Sequence, residues 1–256
     1  MKLLLENWRQ YLTEGSAIDD NLELLSSAAF DEEQLAALNQ LGFELVGRGA
    51  YRNVFSGDAA GYGDAVIKVA KEAPDDFSTP LEQNKLEGEL GATGDYDDLL
   101  PKTIASDPNH RWIAVEAITT PFPKDRAQQL EILTRTFPQL FTAIEANNLS
   151  PKLKARTRGT FISDRSIPFV GLGWLLMGAS KSAQTPVHWW GRSAEGLRAL
   201  HAYAYENDAN YRALFDLVAS PEARLDIEDI FTSIDNFKSV GVGQDGKLKI
   251  IDLSLA

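Results

Sequence analysis

The chain has 256 residues, of which 44% are hydrophobic and 24% charged, the composition of a folded chain long enough to bury one large core or two small ones. Against 25 Lys and Arg stand 37 Asp and Glu, a formal charge of -12, and no basic stripe is visible that could displace counterions from a phosphate backbone, which argues against nucleic acid as the main partner. The absence of cysteine excludes disulfides, thiolate zinc sites and thiol nucleophiles and points to a reducing compartment.

In chain order, Met1 to Leu5 meets Glu6 after three leucines, too short an apolar run for a secretion signal. The longest uncharged stretch, Ser166 to Ser180, is broken by Gly and Pro and falls short of the ~20 apolar residues that a membrane helix needs. A cytoplasmic protein without a membrane partner is expected. Residues 1–41 read as a helical segment: Leu4, Trp8, Tyr11 and Leu12 recur at helical spacing, then Asp31-Glu32-Glu33 opens a second run with Leu35, Leu38 and Leu41 that Gly42 caps.

From Phe43 the pattern becomes short β runs, Phe43 to Val46, Asn53 to Phe55 and Ala65 to Val69, with Gly57, Gly61 and Gly63 in the turns. A helix is expected after Pro80, from Leu81 to about Leu90, and a strand over Trp112 to Ala117 that Pro121 and Pro123 end in a hinge. Asp125 to Asn147 is helical with a break at Pro138, which belongs in the first turn of a new helix. Gly171 to Trp174 and Gly178 to Lys181 can be read as a phosphate loop or as a glycine-rich packing segment; the Walker spacing is absent. Gly191 to Leu217 is helical, and Ser220-Pro221-Glu222 opens another helix. The last residues return to β structure: Phe237 to Val242, an Asp245-Gly246 turn, then Lys247 to Asp252.

An ordered series of signals carries the chemistry. Leu45 to Val54 is strand, Gly47-Arg48-Gly49 turn and strand, a shape that lets backbone N–H groups lie over phosphates where glycine permits close approach; the alternative is an ordinary hairpin. Lys68 ends an apolar strand and can reach an anion, or is a solvated strand lysine. Glu87 or Glu89, on the helix that follows, can hold its ammonium, with Glu87 preferred on spacing. Asn236, before the terminal hairpin, and Asp252, at its end, offer hard oxygens for Mg²⁺, or are polar residues at strand ends. His110, His188 and His201 occur singly and are assigned no role.

Taken in this order, the signals resemble the protein-kinase superfamily, and in layout the short early serine/threonine kinases of podovirus-type bacteriophages, over about residues 42–118 and 225–254. The resemblance implies an α+β, two-lobed kinase-like fold: an N-terminal helical segment over 1–41, a small β-rich N-lobe over 42–120 and a reduced, mainly helical C-lobe over 121–256. It implies that Gly47 and Gly49 lie over the phosphates of ATP, that Lys68 contacts them, that Glu87 orients Lys68, and that Glu116 to Ile118 bind adenine through the backbone. Asn236 and Asp252 would bind Mg²⁺, and the partner would be a host or viral protein.

Three departures from the family pattern stand out. Arg52 replaces the third glycine of the loop. Asp252-Leu253-Ser254 stands for Asp-Phe-Gly, and with the sequence stopping at Ala256 no activation segment is expected. Phe231 occupies the position of the catalytic aspartate, with Asp229 and Asp235 as nearby substitutes and Asp229 the candidate base. General-base catalysis contributes ~10²–10⁴-fold, so the expected function is ATP- and Mg²⁺-dependent transfer to protein Ser/Thr, including autophosphorylation. The alternative is a pseudokinase-like module that binds a protein without catalysis, and the third reading is a virion or scaffold protein without ligand.

Overall fold

The computed structural model describes residues 36, 39–49, 51–57, 62–71, 78–145, 168–181, 194–220 and 239–253. They form a mixed α+β protein of two compact units, one comprising the described residues up to Gly94 with Lys102–Ala117, the other Asp95–Pro101 with the described residues from Ile118 onward. Among the described residues, no helix is long and apolar enough to cross a membrane.

The first unit is a five-stranded antiparallel sheet with one helix. Its strands are β1 Leu45–Arg48, β2 Arg52–Ser56, β3 Ala65–Ala70, β4 Thr103–Ser106 and β5 Trp112–Glu116, and helix α1, Ser78–Thr93, lies between β3 and β4 in the chain. The strand order is β1-β2-β3-β5-β4. Pairing Phe55 with Ile67, Val69 with Trp112 and Ile67 with Ala114 gathers these side chains and Phe43 on one face as a dry core. The other face carries Arg52, Val54 and Lys68, because Arg52 pairs with Ala70 and Val54 with Lys68. Most of the 1–41 helical segment lies outside the described residues; at its end Gly42, at φ 86°, donates its N–H to the Asn39 carbonyl, a helix stop that favours glycine.

The second unit combines five helices with a three-stranded sheet. In chain order they are β6 Thr120–Pro121, α2 Arg126–Thr136, α3 Pro138–Glu145, α4 Pro168–Lys181, α5 Ala194–Asn207, α6 Ala209–Ala219, β7 Val240–Val242 and β8 Leu248–Ile250, with sheet order β6-β7-β8. Asp125 caps α2 by accepting the Gln128 N–H at 3.0 Å, and Pro138 is the first residue of α3, where its missing N–H costs nothing. Asp208, only 2% exposed, joins two helices. Its Oδ1 accepts from Tyr211 N at the start of α6, and its Oδ2 from Gln139 N and Leu140 N at the start of α3. The β7–β8 hairpin turns through Gly246 at φ 74°, and Asp245 accepts the Lys247 N–H.

The structure corrects several expectations. Helix α1 starts at Ser78 rather than after Pro80; Pro80 stands in its first turn, where a missing N–H is harmless. Pro121 does not end a strand but sits in β6, at the edge of the second sheet, opposite Gly241, a place that tolerates proline. Strand β4, short and half exposed, was not anticipated. Gly171 to Trp174 and Gly178 to Lys181 form no phosphate loop: both lie within helix α4. The helix expected from Ser220-Pro221-Glu222 lies, beyond Ser220, outside the described residues.

Candidate functional site

Helix α1 buries one side, and that side is polar. Its buried positions are Pro80, Gln83, Asn84, Glu87, Gly88 and Gly91, spaced three and four apart as one face of a helix must be. Apolar burial does not hold it down; hydrogen bonds and close contact do. Asn84 Nδ2 reaches the carbonyls of His110 at 2.9 Å and Arg111 at 3.2 Å. At Gly88, a Cβ would come within 3.2 Å of Ile113 Cγ2, so the helix rides close to β5.

Glu87 thereby meets the polar face of the sheet. Its Oε2 accepts from Lys68 Nζ at 2.7 Å and its Oε1 from Arg52 Nη2 at 2.8 Å. Arg52, Lys68 and Glu87 are 6%, 7% and 8% exposed, so these charge-assisted contacts act in a low-dielectric setting. Burial by itself would push the Glu87 carboxyl up, but the charges and hydrogen bonds of Arg52 and Lys68 outweigh it and hold the group down at about 2. The exposed Glu89 points away from this cluster. Such a fixed, ionised carboxylate can orient a lysine toward an anion.

The glycine turn is a tight hairpin. Gly49 N–H donates to the Arg52 carbonyl at 2.8 Å, and Lys71 Nζ donates to the Gly49 carbonyl. Burial and the neighbouring charge of Arg48 lower the Lys71 pKa. Gly47 faces Val54 in the ladder, and a Cβ there would make only ordinary contact, 3.6 Å from Val54 Cβ. Neither packing nor a positive φ demands glycine at 47. A group lying over the hairpin would profit from the missing side chain.

The hinge residues fall on both units: Glu116 closes β5 in the first and Ile118 belongs to the second. Glu116 N–H donates to the Lys102 carbonyl at 2.9 Å and Ala117 N–H to that of Asp64 at 3.0 Å, so neither donor is open to a ligand. At the terminal hairpin, Asp252 follows β8 and its N–H donates to the Ser239 carbonyl at 3.3 Å. Asn236, Asp229, Phe231 and Asp235 lie outside the described residues. Among the described residues no group of three or more His, Asp or Glu is placed to hold a metal ion. His201 Nδ1 and the Tyr211 hydroxyl are hydrogen-bonded at 2.9 Å, and burial lowers the His201 pKa.

Sequence reading missed Arg52 and Asn84 as members of the cluster. Arg52 left no local signal: the register of β2 on β3 is what puts it on the face of Lys68. Asn84 had none, since a polar residue on a helix ordinarily faces water. No family model matches the chain, and no curated protein matches it either.

Proposed function

We propose that the protein is a kinase-like nucleotide-binding protein with two lobes, which transfers the γ-phosphoryl group of ATP to Ser or Thr hydroxyls of a host or viral protein, in the cytoplasm. The observation that carries this reading is the buried contact between Lys68 of β3 and Glu87 of α1, the ion pair that a kinase must have in place.

In this reading Lys68 holds the α- and β-phosphate oxygens, Glu87 keeps its ammonium aimed, and Gly47 and Gly49 let the phosphates approach the hairpin. Asp252, with Asn236, would supply hard oxygens for Mg²⁺; the ion's part is to neutralise charge on the phosphate oxygens. The substrate hydroxyl oxygen bonds to the γ-phosphorus, the bond to the bridging oxygen breaks with release of ADP, and the hydroxyl proton passes to a carboxylate, for which Asp229 is the candidate. Adenine would be held through Ile118 and the Glu116 carbonyl, since the N–H groups of Glu116 and Ala117 are engaged.

A second reading, a pseudokinase that binds nucleotide or a protein without transfer, is favoured by the engaged N–H groups of Gly49, Glu116 and Ala117 and by Phe231 at the family's base position. Incubation with ATP labelled on the γ-phosphate separates the two. Transfer by wild type that Lys68→Ala and Asp252→Ala abolish supports the kinase. Melting stabilised by ATP and Mg²⁺ without transfer supports the pseudokinase, and equal labelling of all three proteins rules out the kinase.

A further inference from the structure

Helix α2 opens on three buried polar atoms without a hydrogen-bond partner among the described residues: Nε and Nη2 of Arg126 and Oε1 of Gln129. Folded proteins keep few such atoms, because each has given up its hydration for nothing. On Arg126 the two atoms are not a random pair. Nε and Nη2 point their N–H groups side by side along one edge of the planar guanidinium, the fork that matches two oxygens of a carboxylate or phosphate. The chain is rich in carboxylates, with 37 Asp and Glu against 25 Lys and Arg, yet no described one pairs with this edge. The adjacent Asp125 is committed to the helix start, where its Oδ1 accepts the Gln128 N–H.

Gln129, only 1% exposed, adds an acceptor. Its Nε2 donates to the Pro123 carbonyl at 2.9 Å, which fixes the amide and leaves Oε1 as an acceptor without a donor. Residues three apart share a face of a helix, so fork and acceptor lie one turn apart at the head of α2. An ion that satisfies all three atoms has two oxygens for the fork and a hydroxyl for the amide. We propose that Arg126 and Gln129 form a binding site for a small oxyanion bearing a hydroxyl, a hydroxycarboxylate or hydrogen phosphate. Arg126 as a whole is half-buried, so the path to its inward edge is short, and the low dielectric there strengthens the bonds to the ion. The site uses no residue of the nucleotide reading and is independent of it.

The test is the melting temperature of the full chain at pH 7 and constant ionic strength in chloride, acetate, glycolate or inorganic phosphate, for wild type, Arg126→Met, Arg126→Lys and Gln129→Met. At about tenfold the half-saturating concentration, glycolate or phosphate should raise the melting point of wild type by about 3–5 °C over chloride. Acetate, which lacks the hydroxyl, should raise it less. A response to glycolate alone assigns the site to hydroxycarboxylates, and one to phosphate alone assigns it to phosphate; either supports the site. Arg126→Lys keeps the charge but not the fork and should need about tenfold more ion, whereas a general salt effect would act on it as on wild type. Gln129→Met should erase any preference for glycolate over acetate. In chloride, Arg126→Met keeps the aliphatic stem and should melt about as high as wild type, since a buried cation without an anion stabilises nothing. Arg126→Met that melts well below wild type, or does not fold, reveals an arginine already paired within the chain and overturns the proposal. So does a wild type that responds no more strongly than Arg126→Lys, or a rise in acetate equal to that in glycolate.

Discussion

Helices α1 and α4 are both buried elements, held by opposite means. Helix α4 buries Phe169, Leu172, Leu175, Leu176 and Met177, so its place follows from the removal of apolar surface from water. Helix α1 buries Gln83, Asn84 and Glu87, followed by Gly88 and Gly91, so its place depends on individual partners at individual distances. An apolar face tolerates substitutions of similar volume, whereas a polar one fails when a single partner is lost. Polarity inside is not by itself a sign of chemistry: Asp208 is as buried as Glu87, yet both its oxygens accept backbone N–H groups at helix starts. Glu87 instead holds two side-chain cations from adjacent strands.

The largest expected effect comes from emptying the polar cluster. Glu87→Leu removes the buried carboxylate that Lys68 and Arg52 share and should cost about 3–5 kcal/mol in urea unfolding; a loss below about 1 kcal/mol would contradict the buried pairing. Leu175→Ala in α4 should cost about 2–5 kcal/mol through the cavity it opens, without altering nucleotide affinity. If its effect on binding matches that of Lys68→Ala, the separation between the two helices is wrong.

Acid sharpens the same contrast. Because the folded Glu87 pKa, about 2, lies below its ordinary value of 4.5, its stabilising contribution is fully present above pH 4.5 and is lost as pH falls from there toward 2. Wild type should therefore lose stability over that interval more steeply than Glu87→Gln, measured as unfolding free energy against pH. Parallel curves would show that Glu87 is not held down.

Two smaller effects follow. Asn84→Ala removes the hydrogen bonds that tie α1 to the carbonyls of His110 and Arg111, at about 1–3 kcal/mol, and hydrogen exchange should quicken in α1 before α4. Gly47→Ala meets only ordinary contacts, so stability should change by less than about 1 kcal/mol, while ATP affinity falls. Unchanged affinity would place the phosphates elsewhere.

Strands β1, β2, β3 and β5 of the first unit were legible because Phe43, Phe55, Ile67, Val69 and Trp112 form a continuous apolar face, and apolar patterning is what a strand writes into sequence. Helical pattern announced the region of α2, and Pro138 announced the start of α3 by its place in a first turn. Helix α1 was found but its start was misplaced, since a polar buried face leaves no apolar period to read. β4 and β6 are short and exposed along much of their length, so neither writes an apolar pattern, and β6 is defined by pairing with the distant β7, information that no local window holds. Within the candidate site, Lys68 and Glu87 could be named from order and spacing, whereas the part of Arg52 emerges only from the register of β2 on β3.

Melting temperature against ATP·Mg²⁺ concentration, for wild type beside Lys68→Met, bears most directly on the claim that the Lys68–Glu87 contact serves a nucleotide. Lys68→Met should stay folded because Arg52 still holds Glu87, and its melting point should ignore nucleotide while that of wild type climbs to a plateau. Identical curves for the two proteins, whether both rise or both stay flat, would contradict it.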